Sequence, residues 1–398
     1  MNAPGAPGTR RPPADVRAPS DGGPQVIVVG TISTDCVADR VLEGLLRRGD
    51  NAKGWVMRPG THRLLARSTA TSLMELARGG HSRILAGGAG YRIAEALTVL
   101  RLGLSVGFVG VLGVGPVAAA TVARMRAAGI DHHFVLRHPR HPVGFTLYVA
   151  SPGGYAVLAY PGANMTVGDH LLAAHDDLVV YLAGAHVVYL AELPGRHTPD
   201  RLAGLLASVK QRNPHSVVVL DPGLSGVQDR TGASELLRLA DVVLCDYHRL
   251  ARLSGMPAGT TRQIMSASTR RRMGDAATLV LRQVHQVLTW QPDPAGTGET
   301  SYPTSVADDQ IVETFGLDEA FTTGLLASVA LTGALTPTGL RLATAMLRHR
   351  LTHADRGPGD LAAVAHGFPD TLGPGHRSTG PPGPPHGRHD PTSGPEHD

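Results

Sequence analysis

The chain has 398 residues, 42% of them apolar and 4% aromatic, with a formal net charge of +4. That length buries a large core, as one large domain or two smaller ones, and no basic run with interleaved aromatics marks a nucleic-acid partner. No apolar run reaches the roughly 20 residues of a membrane span, the N-terminus lacks the apolar core of a signal peptide, and two cysteines without framework or metal spacing suit a reducing cytosol.

Residues 1–24, rich in Pro, Gly, Ala and Arg without periodicity, read as a disordered leader. Gln25 to Gly30 is an apolar run ending in Gly, as expected of a buried parallel strand. No Gly-x-Gly-x-x-Gly follows it, so a dinucleotide fold is disfavoured. Asp35 follows five residues after that Gly. Residues 38–83 are mixed and arginine-rich. Ala86-Gly87-Gly88-Ala89-Gly90 then opens a helix carrying Arg92, which stops at Gly103 before a strand through Val106 to Gly110. Paired glycines let backbone approach a ligand closely.

Residues 117–130 are helical and alanine-rich. Two β-prone runs, Gly144 to Ala150 and Tyr155 to Tyr160, flank Ser151-Pro152-Gly153-Gly154 as a hairpin. The strand runs Ala185–Leu190 and Ser216–Leu220 enclose a helix, the βαβ alternation of a parallel sheet. Ligands of such sheets sit at the carboxyl ends of the strands, where Glu192 and Asp221 fall; both residue types are also common turn formers. Asp241 to Cys245 is another strand, followed by Asp246 and Arg249. Val312 to Gly324 places a Gly turn before an apolar helix with Asp318 and Glu319 in its first turn. The bland reading is a helix whose acids complement its dipole; the functional one is an anion site beside a proton acceptor. Thr336-Pro337 starts a last helix to about Leu351. Residues 356–398 read as a disordered Pro/Gly/His-rich tail, whose His366, His376, His386, His389 and His397 are scattered rather than arranged for metal.

Together these stretches resemble the PfkB/ribokinase family of sugar and nucleoside kinases. Thr314, Gly316, Ala320, Phe321 and Gly324 match its C-terminal signature, and Gly87-Gly88-x-Gly90 with Arg101-Leu102-Gly103 match its first. The resemblance implies an α/β fold, a ribokinase-like three-layer α/β/α sandwich over residues 25–355. Its central sheet would be mostly parallel, with a small β-lid drawn from about 36–85 and 143–163. It also implies ATP, Mg2+ and phosphoryl transfer to a sugar or nucleoside hydroxyl. By family position, Glu319 would be the base, with Asp318 beside it. Gly316 and Leu317 would form the anion site, and Asp246 would hold hydrated Mg2+ indirectly. Asp35, Gly87, Gly88, Arg92 and Glu192 would face the substrate.

The departures lie on the phosphate side. Glu319 replaces the family Asp, Leu317 and Asp318 replace Ala-Gly, and Arg249 replaces a Glu of the magnesium motif. Thr278 to Gln286 has lost the glycines of a nucleotide-contacting turn. Arg92 replaces an Asn and favours an anionic substrate. An impaired pseudokinase that binds a small molecule or partner is therefore the alternative to a working kinase. A different enzyme on the same fold is a third reading, and an exposed lid permits a homodimer.

Overall fold

The computed structural model describes residues 23–48, 62–151, 154–195, 197–223, 231–257, 259–293, 296–354, 357 and 359–368. The leader up to residue 22, the Pro152-Gly153 turn and the His-bearing tail beyond residue 368 lie outside them.

In chain order the strands are β1 (Val26–Val29), β2 (Ser33–Ala38), β3 (His62–Leu64), β4 (Ser82–Gly87), β5 (Val106–Val114), β6 (Val135–Pro142), β7 (Gly144–Ser151) and β8 (Gly154–Tyr160). Then follow β9 (Val187–Leu190), β10 (Val217–Leu220), β11 (Val242–Cys245), β12 (Thr278–Arg282), β13 (Gln286–Asp293) and β14 (Gly296–Pro303). Nine form one sheet in the order β14-β13-β12-β11-β10-β9-β1-β5-β6. It is parallel from β12 to β6 and antiparallel at the β13–β14 end. The other five form a separate sheet, β3-β8-β7-β2-β4.

The period-2 pattern explains the layering. In β1, Val26 and Val28 enter one apolar cluster while Ile27 and Val29 enter the other, and all four are 0% exposed. The first cluster is covered by the helices Ala89–Val99, Leu317–Thr332 and Pro337–Thr352, the second by Thr198–Arg212, Tyr247–Ser254 and Arg262–Arg270. This is a mixed α/β fold with a large central sheet flanked by helices. Burial on both faces demands the continuous Val/Leu runs seen in β9, β10 and β11.

The chain leaves β1 through Gly30–Ile32 and enters the second sheet at β2. The Asn164 amide fixes that crossing: it donates to the carbonyls of Ile32 and Pro161 at 2.8 and 2.9 Å, and its oxygen accepts from the Ile32 N–H at 3.1 Å.

Within residues 38–83, the helices Arg40–Arg48 and Arg67–Leu76 flank β3, and Leu42, Leu46, Leu65, Ala70 and Leu73 are buried under the second sheet. The stretch Thr278 to Gln286 is a buried strand as far as Arg282 and then turns at Val284-His285, closed by a Gln283 N–H to Gln286 carbonyl bond of 3.0 Å. One expectation needs correction: order does not stop near residue 355, because a further helix, Asp360–His366, buries Leu361 and Ala365 in the first cluster. Among the described residues, no helix is long and apolar enough to cross a membrane.

Candidate active site

A cavity of about 430 Å³ lies between the two sheets, at the carboxyl ends of β9, β10, β11 and β12. Such ends carry the first residue free of the ladder, so side chains there converge on one space. Glu192, Asp221, Asp246, Arg282, Gly316, Leu317, Asp318 and Glu319 all line it, as does Gly88, which follows β4 and opens the helix Ala89–Val99.

Gly316 sits in the left-handed region at φ 79 and caps the helix Leu317–Thr332, whose N-terminus no side chain caps. The first-turn N–H groups therefore lack intrahelical partners and face the cavity end of the dipole. Leu317, where a glycine or alanine was expected, turns its side chain into the core, so its amide is still presented.

Glu319 lines the cavity with its side chain 14% exposed and its Oε1 3.8 Å from Arg92 Nη1. Burial raises its carboxyl above the ordinary range, Arg92 opposes that, and Asp318 adds to it. Arg92 lies behind the cavity wall, its guanidinium 4.2 Å over the Phe315 ring. Its charge opposes the rise of both the Glu319 and the Asp35 carboxyls.

Asp35 does not meet the cavity either. It is 0% exposed; it accepts from Ser33 Oγ at 2.6 Å and from the Gly88 N–H at 3.2 Å. Burial raises its carboxyl, with Arg92 and those donors opposing. Ser33, one turn of the pleat nearer, lines the cavity instead. The paired glycines are there for Asp35 and the crossing backbone. A Cβ on Gly87 would stand 2.0 Å from Asp35 Cγ, and one on Gly88, at φ +91, would stand 2.3 Å from the Thr31 carbonyl oxygen.

The far end of the cavity is a charge cluster in which one member, Arg282, is a residue that sequence reasoning missed. Arg282, 2% exposed at its side chain, ends β12 and pairs with Asp221 at 3.0 Å and with Asp318 at 3.4 Å. It also donates to Thr322 Oγ1 at 3.0 Å. Arg249 Nη1 lies 3.3 Å from Asp221 Oδ1, 3.5 Å from Asp246 Oδ2 and 3.1 Å from Asp318 Oδ2. Asp246 also caps its helix by accepting from the Arg249 N–H at 2.7 Å. Burial alone would raise the Asp318 carboxyl, but Arg282 and Arg249 outweigh it and hold it below the ordinary range. Asp318 is thus an ion-pair partner of both arginines. Asp221, which falls at the carboxyl end of β10, is buried and accepts from Tyr189 Oη at 3.3 Å.

The opposite wall is aromatic. Phe315 packs edge-on to Tyr148 at 4.8 Å between centroids and to Tyr155 at 6.1 Å. These three, with Tyr160 and His62, line the cavity from the second sheet and the Phe315 turn. Arg83 of β4 pairs with Glu313 at 2.5 Å and ties that sheet to the same turn.

Fold and site together define an α/β protein with one cavity shared by an acidic helix N-terminus and an aromatic side sheet. The chain belongs to the PfkB family of carbohydrate kinases, whose model matches residues 66–346. Among solved structures, it resembles the adenosine kinase of Schistosoma mansoni in complex with 2-fluoroadenosine: 16% identity, TM-score 0.66, covering 83% of this chain and 96% of that one. The ribokinase of Arabidopsis thaliana, complexed with ribose and ATP, gives 19% identity and TM-score 0.61, with coverages of 87% and 99%. A nucleoside kinase of Burkholderia thailandensis, in complex with inosine, gives 18% and 0.58, with the same coverages. No curated protein sequence matches this chain.

The family suggests ATP and a divalent metal. The carboxylates present do not fit a bound metal. Asp221, Asp246 and Asp318 each face the Arg249 guanidinium, 3.1 to 3.5 Å from one nitrogen, so the point on which they converge already holds a cation of the chain itself. Among the described residues, no three His, Cys, Asp or Glu side chains are grouped to hold a metal.

Proposed function

We propose that the protein is a kinase transferring the terminal phosphoryl group of ATP to a hydroxyl of a nucleoside, with a free sugar as the narrower alternative. The observation that carries this reading is Glu319. It is a carboxylate in the first turn of a helix that no side chain caps, lining the cavity between the two sheets, in a chain of this family. The aromatic wall of Tyr148, Tyr155 and Phe315 favours a substrate with a planar ring over a bare sugar.

In this reading the substrate hydroxyl lies against Glu319 Oε1. Its oxygen bonds to the terminal phosphorus, the bond from that phosphorus to the bridging oxygen breaks, and ADP leaves. The hydroxyl proton passes to Glu319. The Leu317 and Asp318 amides hold the transferring group, and the charge it spreads over its oxygens meets the helix dipole. The second sheet closes over the nucleoside and keeps water out.

The test is product formation by the full chain, given ATP and a panel of nucleosides and sugars, with Glu319→Gln as control. A phosphorylated nucleoside is expected from the wild type, with a loss of about 10²- to 10⁴-fold in the variant. Equal turnover by both proteins would remove Glu319 from the reaction.

A further inference from the structure

Two strand ends and one helix N-terminus send carboxylates to one point, and that point is occupied by a side chain of the protein itself. Asp221 follows β10, Asp246 follows β11, and Asp318 opens the helix Leu317–Thr332. Their oxygens surround Arg249 Nη1 at 3.3, 3.5 and 3.1 Å. Asp221 is 7% exposed, and its Oδ1 has no hydrogen-bond partner, so the guanidinium 3.3 Å away is the cation that compensates it. Arg282 adds a second permanent positive charge on the other side of Asp221 and Asp318.

We propose that Arg249 is a tethered cation standing where a divalent metal would otherwise gather these carboxylates, so that the phosphate end of the cavity works without a bound metal. That a phosphate is the group met here rests on the kinase reading; the placement of the cation stands without it. A guanidinium cannot be chelated away or exchanged, and it donates in a plane suited to phosphate oxygens. Three carboxylates against two guanidiniums leave one net negative charge, so an arriving phosphate must displace one carboxylate. Asp318, with 41% of its side chain exposed against 9% for Asp221, is the one that can yield.

The test uses the full chain in three arms. First, Mn2+ alone is titrated into the wild type and followed by its paramagnetic resonance signal. No binding tighter than millimolar is expected; stoichiometric tighter binding that Asp318→Asn abolishes would overturn the proposal. Second, the unfolding midpoint of Arg249→Ser is followed with and without millimolar Mn2+. Removing the cation leaves three carboxylates in mutual repulsion, so the variant should gain a Mn2+-dependent rise that the wild type lacks. A variant that folds and ignores Mn2+ counts against the proposal; one that does not fold leaves the first arm to decide. Third, ADP affinity is measured in EDTA and in Mg2+. Values within about threefold are expected for the wild type, and tighter binding for Asp318→Asn, which removes the competing charge. A tenfold or greater requirement for Mg2+ would overturn the proposal. Absence of ADP binding in both buffers would sink the kinase reading, with the Mn2+ arm still deciding the place of Arg249.

Discussion

At the residue scale, charge in this site is settled locally and in pairs. Arg92 stands between Glu319 and Asp35, and Arg249 and Arg282 stand among three aspartates. The Arg92 pairing makes a pH prediction whose sign is fixed. Glu319 must be ionised to accept a proton, burial raises its carboxyl, and Arg92 pulls it back down. Removing the cation in Arg92→Gln raises that carboxyl further. The acid limb of kcat/KM should therefore move to higher pH in the variant, while the rate well above that limb changes less. An acid limb that stays put or moves to lower pH would show that Arg92 does not act on the base. The sequence revealed Glu319, Arg92 and Arg249 as substitutions within family positions, but not what compensates each. Arg282 carried no such mark, because its partners, Asp221 and Thr322, lie 61 and 40 residues away in the chain. Cross-chain ion pairing leaves no local signal, whereas the glycines and the signature helix do.

At the element scale, the site depends on how closely three segments approach: the β1–β2 crossing, the β4 end and the helix Leu317–Thr332. The βαβ elements were legible because period and burial coincide in them. The helices Arg40–Arg48 and Arg67–Leu76 were hidden because few of their described residues are buried: Leu42 and Leu46 in the first, Ala70 and Leu73 in the second. Gly87 is where the approach is tightest. Gly87→Ala would put a methyl group 2.0 Å from the Asp35 carboxyl carbon, so β2 or β4 must shift. A loss of about 1–3 kcal/mol in unfolding free energy is expected, read as a lower urea midpoint with unchanged slope. Retention of the wild-type midpoint would mean that Asp35 has room the packing denies. Gly324 serves the helix pair in the same way, since a Cβ there would lie 2.8 Å from Met346 Sδ.

At the scale of the whole molecule, the first apolar cluster closes only with the helix Asp360–His366, beyond the boundary the composition suggests. Leu361 and Ala365 are 2% and 1% exposed against the helix Pro337–Thr352. A chain ending after Thr352 should be less stable than one ending after Phe368 by about 1.5–3 kcal/mol, the burial of one leucine. Thermal unfolding of the two proteins checks this, and equal midpoints would place the helix outside the cooperative unit. The central claim is that one cavity takes an aromatic nucleoside against the second sheet and a nucleotide against the helix N-terminus. The measurement that tests it most directly is calorimetric titration of the full chain with ADP and with a panel of nucleosides, each alone and in the presence of the other. The account predicts micromolar binding of ADP and of at least one nucleoside, each persisting when the other is bound. A folded protein that binds neither would contradict it.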